Sequence, residues 1–136
     1  MRPGAAHLSP GRCVAPNGPA LGLKSQCGGK VGIREAKAAG LDAVGMTTDA
    51  PSRAHYYPGA EPMKIKLVVE RGTGRLLGAQ IVGRTGADKR IDVLATALRN
   101  GMKVADVAGM DISYAPPFSR VWDPVLLAAG KAASEV

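Results

Sequence analysis

Residues 63–83, MKIKLVVERGTGRLLGAQIVG, decide the fold. In the first part, Met63, Ile65, Leu67 and Val69 alternate with Lys64, Lys66 and Glu70. Period two sends one set of side chains to a core and the other to water, which predicts a strand over 63–70. RGTG, residues 71–74, supplies the turn. The return strand, 75–83, carries Leu76, Leu77, Ala79, Ile81 and Val82, apolar on both faces, which predicts a more central place in the sheet. GTGRLLG, from Gly72 to Gly78, imitates a dinucleotide fingerprint, but that motif joins a strand to a helix. Here the glycines join two strands, so they are read as a hairpin turn.

Downstream, Thr85-Gly86-Ala87-Asp88 resembles a capping box. Ile91, Leu94, Ala95 and Leu98 then follow helical spacing, and Asn100-Gly101 ends the helix. GRTGADKR, Gly83 to Arg90, lacks the Lys and hydroxyl ending of a phosphate cradle. It is read as a helix start, with Lys89 and Arg90 on a solvated or intersubunit face. A second short helix is expected over 104–108, where Lys103 and Gly109 are weak helix signals and predict a looser segment. Residues 111–114 read as extended, and Pro116-Pro117 keep the chain extended. Asp123-Pro124 suits the cap and first turn of a last helix reaching about residue 133. Upstream, 33–39 suits a short helix stopped by Gly40, 41–48 a strand, and 53–57, RAHYY, a short strand. Strands followed by a helical layer predict an α+β fold, an antiparallel sheet flanked by helices.

The 136 residues suit one domain, and aromatic content of 4% leaves the core to Val, Leu, Ile and Ala. Residues 1–30 are rich in Gly and Pro, hold Arg2, Arg12, Lys24 and Lys30, and contain no acid. They are read as a disordered or non-family segment, with the domain proper at 31–136. The formal net charge is +7, without a basic run interleaved with aromatics, so a solubility role is expected and no nucleic-acid partner. Cys13 and Cys27 lack metal-ligand spacing, and His7 and His55 lie far apart, so no metal site is expected. The cysteines are read as free thiols in a reducing, cytoplasmic setting. No stretch approaches the roughly 18 apolar residues of a membrane span, and no secretory signal or amphipathic transit helix is evident.

Two segments carry candidate chemistry. His55 beside Tyr56 and Tyr57 could form an acid–base cluster or simply pack at a strand end. YAPPF, Tyr114 to Phe118, holds a phenol on a backbone fixed by two prolines. A rigid phenol can donate to a developing thiolate or a flavin edge. A rigid turn with a core tyrosine accounts for the same residues, and the residues alone leave both readings open.

The ordered combination of YYPG, GADKRIDVLA and YAPPFS, closed by VWDPVLLAA, resembles the dimerisation domain of the pyridine nucleotide-disulfide oxidoreductases. Within that family it is most like the coenzyme A-disulfide reductases, NADH oxidases and polysulfide reductases, over about residues 31–130. The resemblance implies a two-fold dimer whose domain reaches over the partner's flavin site. It implies that Tyr56 and Tyr114 complete the partner's catalytic site, Tyr114 foremost, with a phenol in place of the histidine of glutathione-reductase relatives. Some relatives that reduce coenzyme A disulfide have a lysine eight residues beyond the second tyrosine; here that residue is Trp122. The family's FAD and NAD(P)H fingerprints and redox cysteine lie upstream of this domain, so no cofactor is expected on this chain alone, and no turnover. The expected role is a dimerisation and site-completing fragment serving redox homeostasis, as a homodimer or with an intact homologue, away from membranes. The alternatives are a stand-alone thiol- or coenzyme A-binding protein and a non-functional truncated gene product.

Overall fold

The computed structural model describes the backbone of residues 25–30 and residues 32–136 in full. The predicted hairpin forms the centre of the sheet. Strand β3 (Pro62–Glu70) pairs antiparallel with β4 (Leu76–Gly83), placing Ile65 opposite Ile81 and Leu67 opposite Ala79. Its register slips between Val68 and Val69. Gly72 and Gly74 turn the chain at φ 74 and 69, a left-handed conformation that costs glycine little. Strand β2 (Ala43–Pro51) lies along the other side of β3. Strand β1 (Ser25–Lys30) pairs with β4 and completes the order β1-β4-β3-β2. No element was expected at 25–30, because Gly28-Gly29 reads as a breaker; the free edge of β4 gives that backbone a partner regardless of propensity. Cys13 lies outside the described residues, and of Cys27 only the backbone is described.

Helices α2 (Ala87–Arg99), α3 (Val104–Ala108) and α4 (Pro124–Ala133) cover one face of the sheet. Met63, Ile65, Leu67 and Val69 meet Leu94, Val104, Val107 and Val125 there, all buried. Burying each such side chain contributes about 1.5–3 kcal/mol. On the opposite face, α1 (Ile33–Ala38) lays Ala36 over Ala43, Val68 and Leu77. The expected α+β class is therefore observed, with helices on both faces.

Four local expectations are corrected. Residues 53–57 form a turn, not a strand, because Tyr57 N–H bonds back to the Ala54 carbonyl at 3.0 Å. Thr85 does not cap α2: Gly86 holds that position at φ 78, and the Thr85 hydroxyl donates to Glu61 instead, at 3.2 Å. Ala95 is exposed, and Ala97 takes its place on the buried stripe. Arg90 is not on a solvated face; it is 1% exposed. Lys103 and Gly109 turn out to flank α3 as its caps, where helix propensity matters little, and Asp106 accepts from the Lys103 N–H at 3.0 Å. Among the described residues, no helix is long and apolar enough to cross a membrane.

A tyrosine pair on a clamped pair of loops

Two loops at one end of the sheet carry the candidate residues. The first joins β2 to β3. Its base is closed where Ser52 N–H donates to the Glu61 carbonyl at 2.8 Å and Glu61 N–H donates to the Ser52 hydroxyl at 3.1 Å. Within it, the Arg53 guanidinium lies 6.0 Å from the Tyr57 ring centre, holding that aromatic inside its own loop. Tyr56 points outward and is 66% exposed. His55 meets the Tyr56 ring edge to face at 5.8 Å, a ring contact rather than a proton relay.

The second loop precedes α4. The Ala115 carbonyl accepts from both Phe118 N–H and Ser119 N–H at 2.9 Å, which folds YAPPF into a tight turn where Pro116-Pro117 were expected to keep the chain extended. The prolines donate nothing to the backbone, so these later donors close it. The turn presents Tyr114, 46% exposed. Its hydroxyl lies 3.3 Å from that of Tyr56, 58 residues away. The structure thus brings together the two tyrosines singled out in the sequence.

That pairing shapes the chemistry. Two hydroxyls sharing one hydrogen bond keep one O–H free to donate outward. The bond with Tyr56, then partial desolvation, then the proximity of a second ionisable phenol push the Tyr114 hydroxyl above the ordinary tyrosine range. Tyr114 is therefore a neutral donor at neutral pH. Around the pair, His55, Arg120, Val121 and Trp122 line a shallow depression of about 160 Å³. Phe118, Val121 and Trp122 are exposed beside it and form an apolar rim.

Beneath the two loops lies a residue the sequence reading misplaced. The Arg90 Nε donates to both Asp123 carboxylate oxygens at 3.1 and 3.0 Å. Its Nη2 lies 2.9 Å from Asp123 Oδ2 and 2.9 Å from the Ser52 carbonyl, and its Nη1 donates to the Gly86 carbonyl at 3.0 Å. Asp123 also accepts from the Ser119 hydroxyl at 2.7 Å and from Val125 N–H at 2.9 Å, so it caps α4 as expected. Burial pushes the Asp123 carboxyl up, but the bonds from Arg90, Ser119 and Val125, with the Arg90 charge, hold it below the ordinary carboxylate range. One signal for Arg90 was present in the sequence: it lies on the stripe of Ala87, Ile91, Leu94 and Leu98.

A larger, mostly apolar hollow of about 490 Å³ lies beside Met63, Val82 and Gly83 and includes neither tyrosine. The glycines of the two stretches that imitate phosphate-binding motifs have structural tasks. Gly72 and Gly74 serve the hairpin, and Arg90 crowds Gly86 at the start of α2, its Nη1 2.5 Å from where a Cβ would stand. No cluster of three or more His, Cys, Asp or Glu side chains suited to a metal occurs among the described residues.

The chain is 42% identical over 103 residues to an NAD(P)H coenzyme A polysulfide/persulfide reductase of Pyrococcus horikoshii, covering 74% of this chain and 23% of that protein. It is 36% identical over 102 residues to a coenzyme A disulfide reductase of Staphylococcus epidermidis, covering 75% of this chain and 23% of that one. Its fold superposes on an NAD-dependent persulfide reductase from A. fulgidus with a TM-score of 0.78 and 44% identity, over 81% of this chain and 20% of that one. The chain thus spans under a quarter of the length of these relatives. The family model for the pyridine nucleotide-disulphide oxidoreductase dimerisation domain matches residues 28–125, which include the sheet's centre, the buried clamp and both tyrosines, and the chain belongs to that family.

Proposed function

We propose that this chain is the pairing module of a disulfide- or persulfide-reducing enzyme, and that it lends Tyr56 and Tyr114 to the site of the chain it pairs with. The observation that carries this reading is the outward-facing hydroxyl pair, 3.3 Å apart, set in an exposed apolar rim. A rim of Phe118, Val121 and Trp122 is what a dimer interface covers. The names of the relatives point to coenzyme A-type disulfides, polysulfides or persulfides as the substrate class.

The residues of this chain act by donation. An ordinary thiol titrates near about 8.5 and a phenol near about 10. Tyr114, pushed above the ordinary phenol range by its bond with Tyr56, therefore keeps its proton while a sulfur leaves as thiolate. The pair's free O–H offers the thiolate a charge-assisted hydrogen bond worth about 1.5–3 kcal/mol. FAD and NAD(P)H, which supply electrons in this reading, are held by residues other than those described, so the described domain alone gives no turnover. In the depression Trp122 offers a substrate an apolar contact and Arg120 a cationic one.

A second reading, a stand-alone binder of coenzyme A-like thiols, has the 490 Å³ hollow in its favour. Its cations are already engaged, however: Lys64 pairs with Asp49 at 3.3 Å and Arg84 with Glu61 at 3.6 Å. Light scattering on the purified chain separates the two. A dimer supports the pairing module; a monomer that binds coenzyme A supports the second reading. Phenylalanine at the positions of Tyr56 and Tyr114 in an intact relative tests the donor role, and unchanged turnover with a disulfide or persulfide substrate would refute it.

A further inference from the structure

We propose that Arg90 is a positioning residue, whose guanidinium sets the distance between the Tyr56 and Tyr114 hydroxyls by holding the bases of both loops that carry them. The inference rests on the reading of those tyrosines as a working pair. Nothing in helix propensity or solubility calls for a cation at position 90, which is sealed from water at 1% exposure. The side chain instead meets each loop a few residues from its tyrosine. On the first loop it donates to the Ser52 carbonyl at 2.9 Å, four residues before Tyr56. On the second it reaches the Ser119 hydroxyl at 3.3 Å and the Phe118 carbonyl at 3.4 Å, just beyond the turn that Tyr114 opens.

Each loop is closed on itself, so little slack separates the clamp from the phenols. The Ser52–Glu61 bonds shut the first loop, and the paired bonds to the Ala115 carbonyl shut the second. Asp123 then fixes the guanidinium, accepting from Nε through both carboxylate oxygens, and ties it to α4. The Gly86 carbonyl fixes its other end at the start of α2. A planar fork with five N–H donors, some shared between two acceptors, can reach both loops, α4 and the start of α2 together. A lysine ammonium, with three donors on a point charge, cannot.

The test uses the purified chain with isotope-labelled tyrosine, following each ring Cζ by NMR through an alkaline titration. In the wild type, Tyr56→Phe is expected to lower the Tyr114 titration toward the ordinary tyrosine value. In Arg90→Lys, which keeps the charge, Tyr56→Phe is expected to lose most of that effect, because the hydroxyls have parted. His55 and Arg120, which line the same depression, are unchanged in every variant. A folded Arg90→Lys chain in which Tyr56→Phe still shifts Tyr114 by the full wild-type amount overturns the proposal. Should Arg90→Lys fail to fold, Arg90→Met decides: it removes every guanidinium bond to both loops, while Asp123 still accepts from Ser119 and Val125. A reduced coupling there supports the proposal, and a full wild-type coupling overturns it. None of these readouts involves turnover, so failure of the donor role in an intact relative is a separate result.

Discussion

Arg90 and Asp123, 33 residues apart in sequence, meet as a buried ion pair in which the carboxylate takes bonds from both Nε and Nη2 of the guanidinium. The two halves of this pair are not equivalent. Without Arg90, Asp123 still accepts from Ser119 and Val125, and a buried carboxyl can take up a proton. Without Asp123, a guanidinium that cannot lose its charge stays buried. Asp123→Ala is therefore expected to cost about 3–5 kcal/mol, and Arg90→Met clearly less. Denaturant unfolding of both variants checks the order.

The same pair gives stability a dependence on pH. The folded carboxyl of Asp123 titrates below its ordinary value. Its contribution is complete above the unfolded value, about 3.9, and is lost as pH falls through the lower folded one. In Arg90→Met the opposing charge is gone, burial dominates, and the carboxyl favours its protonated form. The stability gap between wild type and Arg90→Met should therefore narrow on acidification. Unfolding midpoints measured from neutral to acid pH show this directly, and a gap that widens contradicts it.

Two glycines with nearly the same positive φ should respond differently to alanine. Gly40 sits at φ +77 with nothing within 4 Å of an added Cβ. Gly40→Ala should cost only the left-handed penalty, about 1–2 kcal/mol. Gly86 sits at φ +78, and its added Cβ would stand 2.5 Å from the Arg90 Nη1. Gly86→Ala should cost more and should also disturb the Tyr114 titration, which Gly40→Ala leaves alone. Thermal melts and tyrosine NMR on the two variants separate these effects.

The rim residues should matter for pairing and not for folding. Phe118 and Trp122 are 69% and 64% exposed. Serine at either position is expected to change the stability of the isolated fold by no more than about 0.5 kcal/mol. The same substitutions should move a dimer toward monomer in concentration-dependent light scattering. A stable dimer in the double variant would place the interface elsewhere.

What was legible in the sequence followed from local rules. The hairpin at 63–83 showed period two and a glycine turn, and α2 showed an apolar stripe; both formed where expected. Asp123-Pro124 announced α4 because a cap acts within one turn. Arg90 was misplaced because its partner lies 33 residues away and a cation beside Lys89 reads as solvated surface. Thr85 was misread because Gly86 enters the helix left-handed, which turns the threonine toward Glu61. Residues 53–57 read as a strand because aromatics favour strands, whereas the turn at Ala54–Tyr57 answers to loop closure. The tyrosines were named through resemblance, since nothing local in either segment tells a working phenol from a packed one.

The buried clamp divides the site into a part that must stay fixed and a part open to variation. Ser52, Arg90, Ser119 and Asp123 sit below the surface, while His55, Val121 and Trp122 line the depression above them without joining that network. Randomising those three surface positions would alter the pairing rim and the edge contact on Tyr56 while leaving the buried ion pair and its bonds untouched.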